Sequence, residues 1–257
     1  MARVIAVANQ KGGVGKTTTA MVGTDFIGDD LAQFWIDKKG ILRAINPEKG
    51  IFGIVEDVNR EGDPYLMDCL RGEGTEVIWS NVLIADGVPH WVGNGEEAPS
   101  RGVNFQGEWF AGKTDAEGKP IPMSHKNSRC TLLASAIANH ATELAEDPGG
   151  VPVKVITYSG RDADTMPPVW VAKNADEGVA IGASIVSKAT ATEVGATGVN
   201  RQPWANAPFI PGALADYMEA QFTFFNSSKF SAETRPIMAG LNYFLTHSNR
   251  GGESNGL

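Results

Sequence analysis

Cysteine is scarce in this chain of 257 residues: only Cys69 and Cys130 occur. No Cys/His spacing suggests a zinc site, and so few thiols suit a reducing compartment, so a cytoplasmic location is expected. Long apolar runs are also missing. No stretch approaches the ~20 residues of a membrane span. The opening MARVIAV is too short for a signal peptide before Asn9, Gln10 and Lys11 intervene. Positive charge is in deficit, with 22 Lys+Arg against 30 Asp+Glu and a net charge of −8. General nucleic-acid binding wants a basic face, so no such partner is expected. A local anion site is not excluded by this balance, because backbone N–H groups and a few arginines suffice for one. The four histidines, His90, His125, His140 and His247, lack ligand-like spacing and read as structural or exposed.

What is abundant is glycine and proline, 30 and 14 residues spread along the chain, beside a hydrophobic content of 42%. This reads as an α/β protein with many working loops: one domain over residues 1–246 and a flexible polar tail at 247–257. Arg3 to Ala8 is a candidate buried strand, followed by the loop Asn9–Gly15 and a helix start at Lys16. Leu31–Ile36 and Ile41–Asn46 predict a hairpin around Asp37-Lys38-Lys39-Gly40; Val77–Ile84 and Val88–Val92 predict another around Asp86-Gly87. Arg101 to Pro122 reads as irregular. Val151–Tyr158 is strand-like, and Val179–Val186 is a second apolar run. Leu214, Tyr217, Met218, Phe222 and Phe225 share one helical face. The pattern is mixed α/β with several antiparallel pairs, not a regular βαβ alternation.

The stretch KGGVGKTTT, between the candidate strand and the helix start, reads as a phosphate loop. Small residues (Gly13, Val14, Gly15) let successive backbone N–H groups converge on phosphate oxygens. Lys16 brings charge to the β/γ-phosphates, and the Thr17 hydroxyl can ligate Mg²⁺. Shortly after it come Asp29 and Asp30. In a strand, adjacent side chains point to opposite sides, so the two carboxylates can serve different tasks. Arg129 and Arg161 are candidate anion clamps, since a guanidinium fork matches carboxylate and phosphate geometry.

The loop resembles the deviant Walker motif of partition-type ATPases, a family in which the earlier lysine, here Lys11, reaches a partner's nucleotide. That resemblance covers roughly the first twenty residues, so nucleotide-driven dimerisation is not expected. A broader one follows. The blocks GKTTTAM, FIGDDLAQFW, LRAINPEKGIFGIVEDVN, SHKNSRCTL, ITYSGRDADTMPPVW, IGASIVSKATATEVGATG, RQPWANAPFIPGALADYM and RPIMAGLNYF occur in this order. Together they resemble the C-terminal, nucleotide-binding part of GTP-dependent phosphoenolpyruvate carboxykinase over about residues 16–245. The resemblance implies a mixed-sheet α/β carboxykinase-like domain with a P-loop. It implies conversion of oxaloacetate and GTP to phosphoenolpyruvate, GDP and CO₂, with Mn²⁺ and Mg²⁺ as cofactors. A monomer is expected.

By the same resemblance, Gly13, Val14, Gly15, Lys16 and Thr17 hold the phosphates, and Val14 stands where the family has a reactive cysteine. Asp30 binds the catalytic Mn²⁺, while Asp29 and Thr17 serve the nucleotide's Mg²⁺. Arg129, assisted by Asn127, contacts oxaloacetate or the moving phosphoryl group; Arg161 contacts the phosphates; Phe244 stacks on guanine; and Ser187–Val199 forms a mobile lid. The family takes further Mn²⁺ ligands, a Lys and a His, and a substrate Arg from an N-terminal domain that does not precede Met1 here. Weak Mn²⁺ binding and low turnover are therefore expected of this chain. A nucleotide-binding fragment without turnover and a partition-type ATPase stand as the alternatives.

Overall fold

The computed structural model describes residues 6–8, 25–29, 31–160, 167, 169–184, 187–190, 199–202 and 210–242. In chain order the strands are β1 (Ala6–Ala8), β2 (Gln33–Ile36), β3 (Leu42–Ile45), β4 (Gly50–Ile54), β5 (Ile78–Ser80), β6 (Leu83–Ala85), β7 (Val88–His90), β8 (Arg101–Asn104), β9 (Gly107–Phe110), β10 (Arg129–Leu133), β11 (Val151–Pro152), β12 (Val155–Gly160), β13 (Val169–Val171), β14 (Ser187–Thr190), β15 (Val199–Gln202) and β16 (Ile237–Asn242). The helices are α1 (Pro64–Arg71), α2 (Thr142–Ala145), α3 (Ala175–Ser184) and α4 (Leu214–Phe225). The fold is mixed α/β and its strand pairs are mostly antiparallel. Among the described residues no helix is long and apolar enough to cross a membrane.

The strands form separate small sheets in the orders β1-β12-β16-β13, β4-β10-β5, β11-β3-β2, β14-β15 and β7-β6-β8-β9. Local turn chemistry sets several of them. In the β2–β3 hairpin, Asp37 Oδ1 accepts the N–H groups of Lys39 at 2.8 Å and Ile41 at 3.0 Å. Gly40 there has φ +73° and passes so close to the Lys229 carbonyl that no side chain fits. At the β6–β7 turn, Asp86 (φ 50°) and Gly87 (φ 78°) both take the left-handed conformation that a two-residue hairpin of this hand requires.

Several expectations change. Val151–Tyr158 is not one strand: it divides into β11, which pairs with β3, and β12, which pairs with β1 and β16. Asp29 lies in a bend ahead of β2, not in a strand. Val77–Ile84 is not one strand. It divides at Asn81 (φ 60°), because β5 pairs with β10 while β6 pairs with β7 and β8. Arg101–Pro122 is not all irregular: it holds the β8–β9 hairpin, with Trp109 buried and its indole N–H donating to Ile121 O at 2.9 Å. The short alternating segments hide in a glycine-rich stretch.

Two apolar cores result. One gathers Ile51, Leu66, Met67, Trp91, Cys130 and Ile137 between α1 and the β4-β10-β5 sheet. The other gathers Leu42, Ile156, Tyr158, Val179, Phe225 and Met238, with α3 and α4 on the β1-β12-β16-β13 sheet. Most of the apolar run Val179–Val186 lies in α3, whose first turn is capped by Asn174 Oδ1 accepting the Glu177 N–H at 2.9 Å. Gly178 and Gly182 let this helix approach Met238 and the Tyr158 ring. The face predicted from Leu214 to Phe225 is the less exposed side of α4, with Phe225 buried. The helix start at Lys16 and the tail 247–257 lie outside the described residues.

Candidate active site at the carboxyl edge of the parallel strands

β1, β12 and β16 run parallel, in the registers Ala8↔Tyr158 and Gly160↔Asn242. Their carboxyl ends therefore line one edge of the sheet, with neighbouring strands about 4.8 Å apart. The sequence continues from Ala8 into the candidate phosphate loop, from Gly160 into Arg161, and from Asn242 toward Phe244. Three separate candidate segments are thus covalently tied to one sheet edge. Open α/β sheets place their ligands at this kind of edge.

The segment Phe26 to Asp29 is held from both sides. Phe26 N–H donates to Asn139 O at 3.1 Å, and Ala141 N–H donates to Phe26 O at 2.8 Å. The Phe26 ring meets His140 edge-on at 5.1 Å. On the other side, Asn46 Nδ2 donates to Ile27 O at 3.2 Å, and Glu48 Oε2 accepts the Leu31 N–H at 3.1 Å. Gly28 packs directly on the Asn46 side chain, leaving no room for a Cβ. Both anchors come from Asn46-Pro47-Glu48, just past β3. The half-buried Asp29 is positioned by this clamp.

Arg129 opens β10, paired with Ile54 on β4 and Ser80 on β5. Its Nε donates to Asn127 Oδ1 at 2.7 Å, and its Nη1 donates to Phe52 O at 3.2 Å. The guanidinium carbon lies 4.4 Å from the centroid of the Phe52 ring, itself 57% exposed. A guanidinium stacked and braced in this way loses less rotamer freedom when it meets an anion. Asn127 sits in a turn whose Ser128 N–H donates to His125 O at 2.8 Å.

The electrostatics connect these parts. Burial pushes the Cys130 thiol up to about 12, and the negative charge of Asp29 pushes in the same direction, so Asp29 lies within electrostatic reach of the strand carrying Arg129. Burial also raises the Glu56 carboxyl, just beyond β4; neighbouring Asp57 adds to this and Lys126 opposes it. Among the described residues there is no group of three His, Cys, Asp or Glu side chains placed to hold a metal ion.

Of the residues singled out from sequence, Asp29, Asn127 and Arg129 are described, and Asn127 and Arg129 are in direct contact. Lys11, Gly13, Val14, Gly15, Lys16, Thr17, Asp30, Arg161 and Phe244 lie outside the described residues. The ends of the expected lid, β14 and β15, pair as an antiparallel ribbon, and residues 191–198 between them are outside the description. Sequence reasoning missed Phe52, Asn46 and Glu48, which touch or brace the site residues. The signal for Phe52 was its place in GIFGIV, an alternating strand with a large aromatic at an outward position.

The family described as "Phosphoenolpyruvate carboxykinase C-terminal P-loop domain" has a sequence model that matches residues 3–253. The chain is 41% identical over 239 residues to the protein named phosphoenolpyruvate carboxykinase [GTP] of Pyrococcus furiosus, covering 92% of this chain and 37% of that protein. It is 43% identical over 234 residues to the one of Thermococcus kodakarensis, covering 90% and 37%. It is 37% identical over 241 residues to that of Sulfurisphaera tokodaii, covering 93% and 38%. The chain thus spans less than two fifths of the length of these relatives. By the extent of these matches, it belongs to the family of the phosphoenolpyruvate carboxykinase C-terminal P-loop domain.

Proposed function

We propose that this chain is the nucleotide-binding part of a GTP-dependent phosphoenolpyruvate carboxykinase, which converts oxaloacetate and GTP to phosphoenolpyruvate, GDP and CO₂. The observation that carries this reading is the shared carboxyl edge of β1, β12 and β16, from which the phosphate loop, Arg161 and Phe244 all continue. Family membership supports it. In this reading the amides of Gly13, Val14 and Gly15, with Lys16, cradle the triphosphate. Arg161 neutralises phosphate charge and Phe244 stacks on the base. Arg129, braced by Asn127 and Phe52, grips the carboxylate or phosphoryl group of the small substrate. The β14–β15 ribbon frames a lid that excludes water while the enolate waits for its phosphoryl group.

The donor set fits hard divalent cations. Asp29 offers a half-buried carboxylate whose negative charge is felt at Cys130, and oxygen donors suit Mg²⁺ and Mn²⁺. Asp29 and Thr17 would hold Mg²⁺, and Asp30 would hold Mn²⁺. Bound there, such ions supply charge neutralisation to the triphosphate and to the enolate oxygen. Titrating a fluorescent GTP analogue with Mg²⁺ into wild type and Lys16→Ala tests the nucleotide site. Affinity more than about tenfold weaker in the variant is expected, and equal affinity refutes the reading. A coupled assay for oxaloacetate-dependent phosphoenolpyruvate formation, in the chain and in Arg129→Ala, tests the reaction.

A further inference from the structure

Arg129 is braced by Asn127, and Asn127 is in turn held by a turn of unusual construction. Residues His125 to Ser128 form a β-turn, closed by the Ser128 N–H donating to His125 O at 2.8 Å. Inside it, the Asn127 N–H donates to His125 Nδ1 at 3.0 Å. This is the geometry of an Asx turn, in which a side-chain acceptor at the first position takes the N–H two residues on. Here an imidazole does what an asparagine or aspartate ordinarily does, since Nδ1, like Oδ1, is bonded directly to Cγ.

The turn is fastened from a second direction. Asn81, at the junction of β5 and β6, accepts the His125 N–H on its carbonyl at 3.0 Å, and its Nδ2 donates to Asn127 O at 3.1 Å. Its left-handed backbone, φ 60°, is one that asparagine tolerates, and from it both groups of one residue reach the turn. The Phe105 ring meets the imidazole edge-on at 5.1 Å and 76°, fixing the ring plane. The peptide groups of Asn127 are thus held at both N–H and C=O, and its Oδ1 meets the Arg129 Nε at 2.7 Å.

We infer that His125 is a positioning residue for the substrate-anion clamp: as the neutral Nε2–H tautomer, its Nδ1 orients Asn127 so that Asn127 Oδ1 locks the Arg129 guanidinium toward its anion. The inference rests on the reading of Arg129 as the clamp. It assigns His125 neither a metal nor a proton-transfer task. An Nδ1 that accepts carries no proton, so the tautomer follows from the bond.

The test uses phosphoenolpyruvate as the probe, titrated calorimetrically into wild type, Arg129→Ala, His125→Asn and His125→Gln, with circular dichroism confirming the fold of each. Asparagine keeps an acceptor at the Nδ1 position; glutamine places its amide further out, near Nε2. We expect His125→Gln to bind about tenfold more weakly, the factor one orienting hydrogen bond supplies. His125→Asn should stay within about twofold of wild type. His125→Gln binding like wild type while Arg129→Ala is impaired overturns the inference and leaves the clamp standing. His125→Asn as weak as His125→Gln also overturns it, because the acceptor then does not carry the effect. Arg129→Ala binding like wild type removes the clamp itself, and this inference with it. Should a variant fail to fold, the ring ¹⁵N shifts of wild-type His125 decide: a protonated Nδ1 at neutral pH refutes the tautomer and the proposal, and a bare Nδ1 supports both.

Discussion

Replacing Gly28 by alanine should displace the acidic pair without touching it. A Cβ at Gly28 would lie 2.1 Å from Asn46 Cγ, 2.3 Å from its Nδ2 and 2.6 Å from its Cβ. The backbone there is outside the left-handed region, so the cost is steric, not conformational. Either the chain around Asp29 shifts or the Asn46 side chain is expelled. Expulsion forfeits the bonds from Nδ2 to Ile27 O and Glu48 O, at about 1 kcal/mol each. Overpacking costs a similar amount, about 1–3 kcal/mol. Gly28→Ala should therefore destabilise by about 2 kcal/mol. Asn46→Gly removes all three clashing atoms, and should cost about 2–3 kcal/mol from the same lost bonds and the added chain entropy. The double variant should be little worse than Asn46→Gly alone, giving a coupling of about −2 kcal/mol. Urea unfolding followed by tryptophan fluorescence measures all four proteins. Costs that add to within about 0.5 kcal/mol would show that Gly28 does not rest on Asn46, and the account of how Asp29 is placed would fall.

Two further outcomes are expected. Both thiols should resist a thiol reagent in the native protein: Cys69 and Cys130 are buried, burial raises both, and a Cys130 near 12 leaves only about one thiolate in ten thousand at pH 8; rapid labelling without denaturant would contradict the packing. Glu96 is held below the ordinary carboxylate value of 4.5, chiefly by its hydrogen bonds from Arg71 at 2.8 and 2.7 Å. A depressed folded value means stability that is present above 4.5 and lost as pH falls through the folded value. Glu96→Gln should remove about 0.5–1 kcal/mol at neutral pH and flatten the acid side of the stability profile; an unchanged profile would show the pair contributes nothing.

The parts of the molecule legible in sequence were those written in local chemistry. Asp37 to Gly40 and Asp86-Gly87 announce their turns by residue type, and both hairpins are present. The spacing from Leu214 to Phe225 announces α4 in the same way. What failed depends on partners far along the chain. Val77–Ile84 looks continuous because nothing nearby says that β5 belongs with β10, about fifty residues on. Phe52 becomes a neighbour of Arg129 only through the register of β4 with β10. The contact of His125 with the Asn127 N–H leaves no mark in the sequence, because an imidazole accepting from the residue two positions on needs no second ligand at a set spacing.

The parallel registers also dictate an order of assembly. β1 pairs with β12 about 150 residues later, and β12 pairs with β16 about 80 residues after that. The β2–β3 hairpin and the β6 to β9 meander close over short loops and can form as soon as they leave the ribosome. The β1-β12-β16-β13 sheet cannot. Among the described strands β1, the one leading into the candidate phosphate loop, has no sheet partner until β12 is synthesised, and the shared carboxyl edge is complete only when β16 arrives. Nascent chains halted before residue 237 should therefore hold folded hairpins without the shared β1-β12-β16 edge, making the arrival of β16 the step that completes it.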